Sequence, residues 1–235
     1  MATKSLPSPK ADVPHYQGHR QRLKDKFNTV GADSFADYEL LELVLFQAVP
    51  RTDTKPLVKY LIEKFGSIQG VFAASPTLLK EIKGVGDHVV HILKLHHATQ
   101  GRCLREEIKR VNILQSWQQV IDYCTATMAF DDVEQLRILY LDQRNQVLDD
   151  VVQQTGTVNH TPIYPREVMK RALEVGATAL ILVHNHPSGD PTPSRADIDL
   201  TIKMQRIADD LGIVLHDHVI IGKGCHSSLK SLGVI

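Results

Sequence analysis

The spacing of apolar residues divides this chain of 235 residues into a front part with helical periodicity and a rear part with strand patterns. Over residues 14–110, apolar side chains recur three or four positions apart, which predicts helices throughout. The clearest of these segments are 18–27, 36–46 and 55–65. Pro56 suits the first turn of the last segment, because an amide there would have no intrahelical partner.

The rear part mixes strands with helices. After a helix that opens at Ser116, strand patterns over 136–141 and 147–155 flank a polar turn, which predicts a hairpin. The pattern then predicts four more elements: a helix over 165–175, a buried strand over 179–183, a helix over 197–211 and a strand over 213–221. We therefore expect an α+β protein with an all-helical N-terminal domain and a C-terminal α/β domain of about 120 residues.

These patterns predict a disordered tail (1–12), a helical domain (13–100), a linker (101–112) and the α/β domain (113–235). The formal net charge is zero, but residues up to Asn112 carry 17 Lys and Arg against 12 Asp and Glu. The front part is therefore +5 and the remainder −5, which favours two units with different surroundings.

Cysteine usage and hydropathy indicate the cellular compartment in which the protein is expected. The three cysteines are odd in number and widely separated, so neither a disulfide framework nor a cysteine zinc site is expected. No apolar run approaches the roughly 20 residues that span a bilayer, and residues 1–12 lack a secretory signal's apolar segment. We expect a cytoplasmic protein without membrane contact.

One turn of the helical part is a candidate DNA contact. Two short helical patterns over 78–93 flank Gly84-Val85-Gly86, as in a helix-hairpin-helix motif. Gly84, Gly86 and the following helix's amides could hold a DNA phosphate. The lysines that could assist are Lys80, Lys83 and Lys94. The same pattern also serves as a compact helical hairpin, so both interpretations stay open.

The segment after the buried strand carries the most informative chemistry. His184 and His186 are two residues apart at a strand end, so they project from one face. Asp197 follows on the next helix, after a loop with three prolines in seven residues, which restricts the loop. Two imidazoles and a carboxylate suit a zinc ion with one open position for a water.

A simpler interpretation exists for the start of that helix. Ser194 and Asp197 have the spacing of a helix cap, with Asp197 reaching back to the residue that opens the helix. Likewise, the histidine pair could be polar residues at a sheet margin. The convergence of three ligand-type groups on one strand-loop-helix turn favours metal-dependent hydrolysis over both.

These residues also resemble a known family. His184, His186, Ser194 and Asp197 match the JAMM motif of the JAB/MPN metallopeptidase superfamily. The wording His-Asn-His-Pro-Ser-Gly-Asp-Pro-Thr-Pro-Ser-Arg-Ala-Asp is similar to that of the bacterial RadC family in particular. The segments that resemble the same family elsewhere are Tyr38-Glu-Leu-Leu-Glu, Phe65-Gly-Ser, Gly84-Val-Gly, Gly156-Thr-Val, Pro165-Arg-Glu and Leu215-His-Asp-His-Val-Ile-Ile-Gly.

The resemblance implies a cytidine-deaminase-like JAB/MPN fold and one zinc ion per chain, held by His184, His186 and Asp197. It also implies an upstream glutamate as general base. Glu134, at the point where a helix gives way to the first strand, is the favoured candidate, and Glu167 is the rival. Ser194 would stabilise the oxyanion.

The implied activity is hydrolysis of a peptide or amide bond in an unidentified substrate. DNA repair or recombination through the helix-hairpin-helix-like part is the alternative function, and a structural or vestigial site is the third. Asp217, between His216 and His218, is expected to be a core-margin residue, with support of a metal-bound imidazole as the alternative. The other four histidines considered are expected on the surface or in packing: His88, His91, His96 and His97.

Overall fold

A computed structural model describes residues 18–50, 52–155 and 164–235. The tail expected over residues 1–12 and the Gly156-Thr-Val segment lie outside the described residues. Within the described ranges, no helix is both long and apolar enough to cross a bilayer.

The front part is helical, as its periodicity predicts. Its elements are α1 (His19–Val30), a 3-10 turn (Ala32–Ser34), α2 (Asp37–Leu45), α3 (Lys55–Phe65), α4 (Ile68–Ala73), α5 (Pro76–Lys80) and α6 (Asp87–Ile108). Leu41, Leu61 and Leu93 are fully buried in the core that α2, α3 and α6 share. This helical part is therefore stabilised by its own apolar interior.

The rear part is a five-stranded mixed sheet with helices on both faces. Its elements are α7 (Trp117–Met128), β1 (Gln135–Leu141), β2 (Val147–Thr155), α8 (Pro165–Val175), β3 (Ala179–Asn185), α9 (Arg195–Asp210), β4 (Val214–Ile221) and β5 (His226–Ser228). The strand order is β2-β1-β3-β4-β5. Only the β3–β4 pair is parallel, and α9 makes the crossover between these two strands. The chain is thus α+β, with helices first and a mixed sheet second.

The sheet separates two apolar clusters. On one face, Val183 of β3 and Leu139 of β1 pack with α7. On the other face, Leu182 of β3 and Ile138 of β1 pack with α8 and α9. All seven residues of β3 are buried, because this strand lies in the middle of the sheet and both faces are covered. A polar side chain at the end of β3 therefore needs a specific partner.

Helix α6 joins the helical part to the sheet. It continues to Ile108, so most of the segment expected as a linker (101–112) is helix. Ile108 is fully buried in the same cluster as α7, and the Nε of Arg105 lies 3.2 Å from a carboxylate oxygen of buried Asp150 on β2. The junction is packed and ion-paired, while the exact domain division stays a prediction.

Candidate metal centre

The end of β3 delivers the first candidate ligand. His184 is 3% exposed and lies on the sheet face that α8 and α9 cover. His186 follows the last strand residue, and its amide donates to the carbonyl of Ile221 on β4. The Nε2 atoms of His184 and His186 are 2.9 Å apart. Strand alternation has placed both rings on one side, as the spacing predicts.

Helix α9 delivers the carboxylate through its cap. Ser194 is the N-cap, with its Oγ accepting from the Asp197 amide at 3.2 Å. Asp197 returns the bond, because its Oδ2 accepts from the Ser194 amide at 2.7 Å. The same carboxylate lies 3.4 Å from His184 Nε2 through Oδ1 and 3.6 Å from His186 Nε2 through Oδ2. The capping interpretation is therefore correct, and it is compatible with ligation since the cap fixes where the carboxylate points.

The three groups are close enough to share one ion. Ligand atoms of His184, His186 and Asp197 all lie within 4.8 Å of one another. A tetrahedral ion with bonds of about 2.0–2.1 Å would separate its ligand atoms by about 3.3–3.4 Å. The two Nε2 atoms are 2.9 Å apart, and each has one carboxylate oxygen of Asp197 near the tetrahedral separation, Oδ1 at 3.4 Å from His184 and Oδ2 at 3.6 Å from His186. These residues could hold a tetrahedral metal with one further position.

A chain of hydrogen bonds behind His184 fixes its tautomer. The hydroxyl of Thr201 lies 2.6 Å from the Asp197 carbonyl and 2.6 Å from His218 Nδ1. Two such contacts require two protons, and the hydroxyl has only one, so His218 Nδ1 supplies the other. The Nε2 of neutral His218 is then the acceptor 2.7 Å from His184 Nδ1. His184 therefore carries its proton on Nδ1, and its Nε2 lone pair faces the site.

His186 is oriented in the same sense by a backbone carbonyl. Its Nδ1 lies 2.7 Å from the oxygen of Asp190, which can only accept. The proton is accordingly on Nδ1, and the Nε2 of the neutral ring is also a bare acceptor. The Nε2 lone pairs of His184 and His186 and the carboxylate of Asp197 thus face one another. A single proton could be shared by only two of these three groups at a time. A cation bonded to all three atoms satisfies the whole set.

The protonation states of His184 and Asp197 agree with this arrangement, whereas the hydrogen bond to Asp197 raises the pKa of His186. Burial lowers the pKa of His184 to about 4, although Asp197 opposes that effect. Burial also lowers the pKa of His218 well below its usual range. Burial raises the pKa of Asp197, but its pairing with His186 and His184 and the hydrogen bonds from Ser194 outweigh that effect and leave the pKa well below the usual range. At neutral pH the inner imidazole is uncharged and the carboxylate is ionised, which are the forms that bind metals.

Comparison with known families agrees with this geometry. The family model described as RadC-like JAB domain matches residues 114–234, just over half of the chain. The chain belongs to the RadC-like JAB family. JAB domains commonly bind zinc and are usually hydrolase-like, and RadC is often regarded as related to DNA repair. The match begins in the segment before α7 and covers the whole sheet with the His-His-Asp cluster.

The two glutamates considered as the base of this RadC-like domain have different surroundings. Glu134 precedes β1 and is half-buried. The pKa of His186 is raised chiefly by its hydrogen bond to Asp197, and the charge of Glu134 adds a smaller effect in the same direction. Glu167 lies in the first turn of α8, where its carboxylate is 3.1 Å from the Nε of Arg166 on the exposed surface. The charge of Glu134 therefore acts on one residue of the candidate metal centre, whereas the contact found for Glu167 is local.

The strand register explains why Glu134 lies near the RadC-like cluster. β1 and β3 are antiparallel, and their last pair at this end is Leu136 with His184. Continuing that register places residue 135 opposite residue 185, and Glu134 opposite His186. Asn185 supports this continuation, because its Oδ1 accepts from the Gln135 amide at 2.8 Å.

The sequence did not reveal the residues that support the first ligand. His218 and Thr201 are fully buried and orient His184, although only His218 belongs to a motif noticed in the sequence. Asp217, the alternative considered for that role, instead accepts from the Ser228 hydroxyl at 2.6 Å and the Lys230 amide at 3.1 Å. Asp217 therefore anchors β5 and the turn after it, and the imidazole support comes from its neighbour.

His216 and the four histidines of α6 are packing or surface residues. His216 Nε2 lies 2.7 Å from the amide oxygen of Asn145 in the β1–β2 turn. His96 stacks on Phe72 at 5.6 Å between ring centroids, while His88 and His91 are exposed. Burial lowers the pKa of His97. Among the described residues, the one cluster suited to a metal is that of His184, His186 and Asp197.

The glycine turn of the helical part has an open surface. Gly84 has φ +94°, a conformation that favours glycine, and Lys83 and Gly86 are exposed. Helix α6 starts after Gly86 without a side-chain cap. Lys80 lies 2.5 Å from Asp87 in the first turn of α6, which offsets its charge. Lys94 is directed elsewhere, because its ammonium donates to the carbonyls of residues 72, 73 and 74.

Proposed function

We propose that this RadC-like protein is a zinc-dependent hydrolase of peptide or amide bonds, with one zinc held by His184, His186 and Asp197. The observation that carries the proposal is the convergence of two imidazole lone pairs and one carboxylate. The hydrogen bonds of His218 and Asp190 orient the imidazoles, and the cap of α9 orients the carboxylate. Nitrogen and oxygen ligands leaving a fourth position open are characteristic of catalytic zinc sites.

Glu134 is proposed as the general base. When bound, zinc supplies the polarisation that lowers the pKa of a water to about 7. The carboxylate of Glu134 would accept that water's proton and return it to the leaving amine. Extrapolating the β1–β3 register two residues beyond its last pair, Leu136 with His184, brings Glu134 opposite His186, which supports this role since a base has to reach the same small volume as the ligands.

Ser194 is proposed to stabilise the oxyanion. Its Oγ accepts from the Asp197 amide, so the hydroxyl proton stays available for a second partner. The residue is exposed at the start of α9, beside the carboxylate that faces the two imidazoles. A donor of this kind is worth on the order of 3 kcal/mol where negative charge develops.

The substrate class follows from this chemistry. An activated water, a base that can return a proton and one hydroxyl donor suit an acyl carbon with a poor amine leaving group. A peptide bond or another amide meets that description. A peptide or amide in an unidentified molecule is therefore the proposed substrate.

The test uses the two glutamates as a matched pair. Full-length wild type, Glu134→Gln and Glu167→Gln are loaded with zinc, analysed for metal content and assayed on a quenched fluorogenic peptide library. We expect one zinc per chain in all three, hydrolysis by wild type and Glu167→Gln, and loss of hydrolysis in Glu134→Gln. Full activity in Glu134→Gln would remove the assigned base, and a wild type without zinc would remove the proposal.

A second candidate function is DNA binding through the glycine turn. It is favoured by the exposed surface formed by Lys83, Gly84 and Gly86, next to helix amides without a side-chain cap. Titration of fluorescent duplex DNA at two salt concentrations tests it, with Lys83→Ala as the variant. Phosphate contact predicts binding that weakens steeply with salt and weakens further in Lys83→Ala. No binding at low salt would remove this candidate.

A further inference from the structure

We propose that Asn185, the residue between the two histidine ligands, is a positioning residue that holds Glu134 in place for proton transfer. The inference rests on the proposed function, since it assigns Glu134 the role of base. Asn185 would act through the backbone of β1 and would not touch the metal or the substrate.

The side chain of Asn185 lies on the other face of the sheet from the two imidazoles. Residues alternate along a strand, so Asn185 shares the side of Val183 and the α7 cluster, whereas His184 faces α9. The Asn185 side chain is fully buried. A buried amide costs free energy unless its polar atoms are bonded, so the contacts it makes there indicate its role.

Those contacts bracket Glu134. The Oδ1 of Asn185 accepts from the amide of Gln135 at 2.8 Å. Its Nδ2 donates to the carbonyl of Val133 at 3.2 Å and reaches the carbonyl of Asp131 at 3.5 Å. One planar amide therefore bonds the backbone immediately before and immediately after Glu134. Displacement of the Glu134 backbone would break at least one of these bonds.

The hydrogen bonds of the Asn185 side chain also extend the pairing between β1 and β3. Backbone pairing of β1 with β3 ends at Leu136 and His184, and the Asn185 side chain takes over as partner of the next amide. Continuing the alternation of β1 one residue beyond its start at Gln135 puts Glu134 on the face of Leu136 and His184, which agrees with the effect of its charge on the pKa of His186. The buried amide of Asn185, through its hydrogen bonds to the backbone, thus holds the Glu134 carboxylate at a defined position. A side chain without these bonding groups would leave residues 131–134 free to shift.

The test is a double-mutant cycle that needs no substrate. Zinc affinity is measured by competition with a chromophoric chelator for wild type, Glu134→Gln, Asn185→Ala and the double variant. A carboxylate held near a divalent ion strengthens its binding on the order of tenfold, so Glu134→Gln should weaken zinc binding by that factor. In the Asn185→Ala background the same change should have an effect of less than about threefold.

A control separates positioning from loosening of the strand. Val183→Ala removes a buried side chain from the same face of β3. It is expected to lower stability while keeping the full effect of Glu134→Gln on zinc affinity. Exchange of the Gln135 amide with solvent, followed by NMR, should accelerate in Asn185→Ala and stay slow in Glu134→Gln.

The outcomes distinguish the inference from the proposed function. Zinc binding by wild type with an undiminished Glu134 effect in the Asn185→Ala background would overturn the positioning role and leave the hydrolase proposal intact. The same loss of coupling in Val183→Ala would also overturn it. Failure of wild type to bind zinc would overturn both.

Discussion

His218 Nε2 lies 2.7 Å from Nδ1 of His184, and that bond determines which nitrogen of His184 faces the candidate metal centre. His218 is itself held by the hydroxyl of Thr201 on α9. The orientation of His184, the buried candidate ligand, thus depends on His218 of β4 and Thr201 of α9, neither of which is itself a candidate ligand. Support of this kind often affects metal binding almost as much as the ligands do.

Replacing His218 should weaken zinc binding without removing a ligand. His218→Phe fills the same buried space but cannot accept the His184 Nδ1 proton, so we expect zinc affinity to fall about 10- to 100-fold. Competition with a chromophoric chelator measures the change. The control is His216→Phe on the same strand, whose ring bonds Asn145 and not His184. Equal losses in the two variants would contradict the relay.

Thr201 should matter through its hydroxyl rather than its shape. Thr201→Val keeps the volume but leaves His218 Nδ1 without a partner in a fully buried site, which should cost about 1–3 kcal/mol of unfolding free energy. Thr201→Ser keeps the hydroxyl and should retain most of the unfolding free energy that Thr201→Val loses. Urea unfolding of the zinc-free variants measures both, and a valine variant as stable as wild type would contradict this account of the bond.

Ser194 offers a way to separate capping from catalysis. Ser194→Ala should cost about 1 kcal/mol of stability through loss of the cap, and Ser194→Gly only a few tenths. Both lack the hydroxyl, so both should lose turnover by roughly 10²- to 10³-fold on any peptide that wild type hydrolyses. Thermal unfolding and steady-state kinetics measure the two effects. If turnover fell only in proportion to the loss of stability, so that Ser194→Gly stayed near wild type, Ser194 would act only as the cap of α9.

Asp150 should be important for stability. Its carboxylate is buried, accepts from Arg137 Nη1 at 2.8 Å, is hydrogen-bonded to the Tyr123 hydroxyl and pairs with Arg105 of α6. Asp150→Ala leaves the buried guanidinium of Arg137 without its negatively charged partner, which should cost about 3–5 kcal/mol. Arg105→Ala should cost less than about 1 kcal/mol, because that side chain is 43% exposed. Denaturant unfolding measures both, and equal costs would contradict this account.

Much of the sheet part follows from local sequence. Pro165 and the apolar periodicity predict α8 over 165–175, and β2 has the bounds that the strand pattern predicts, 147–155. The histidine spacing and the Ser194–Asp197 spacing also predict the cluster, because strand alternation and helix capping are local rules. The strand β3 continues past the apolar run 179–183 to Asn185, because its backbone stays paired with β4 as far as Asn185 and Ile221.

The supporting residues required tertiary information. Which side chain of β4 meets His184 depends on the parallel register, and that register shifts between Leu180 and Ile181. The contact of Thr201 with His218 depends on how α9 crosses the sheet. Asn185 looks like a neutral spacer until the antiparallel register brings Gln135 beside it. Likewise, the linker expected over 101–112 is mostly helix, because packing of Ile108 against the α7 cluster decides its structure.

X-ray absorption at the zinc edge of the zinc-loaded, full-length protein tests the central claim most directly. Two imidazoles, one carboxylate and a water predict four nitrogen or oxygen scatterers at about 2.0–2.1 Å, with imidazole multiple scattering and no sulfur. Asp197→Ala should hold less zinc than wild type at the same free zinc concentration, since it removes one ligand. A sulfur shell at about 2.3 Å, zinc affinity of Asp197→Ala equal to that of wild type, or absence of stoichiometric zinc in wild type would contradict the claim.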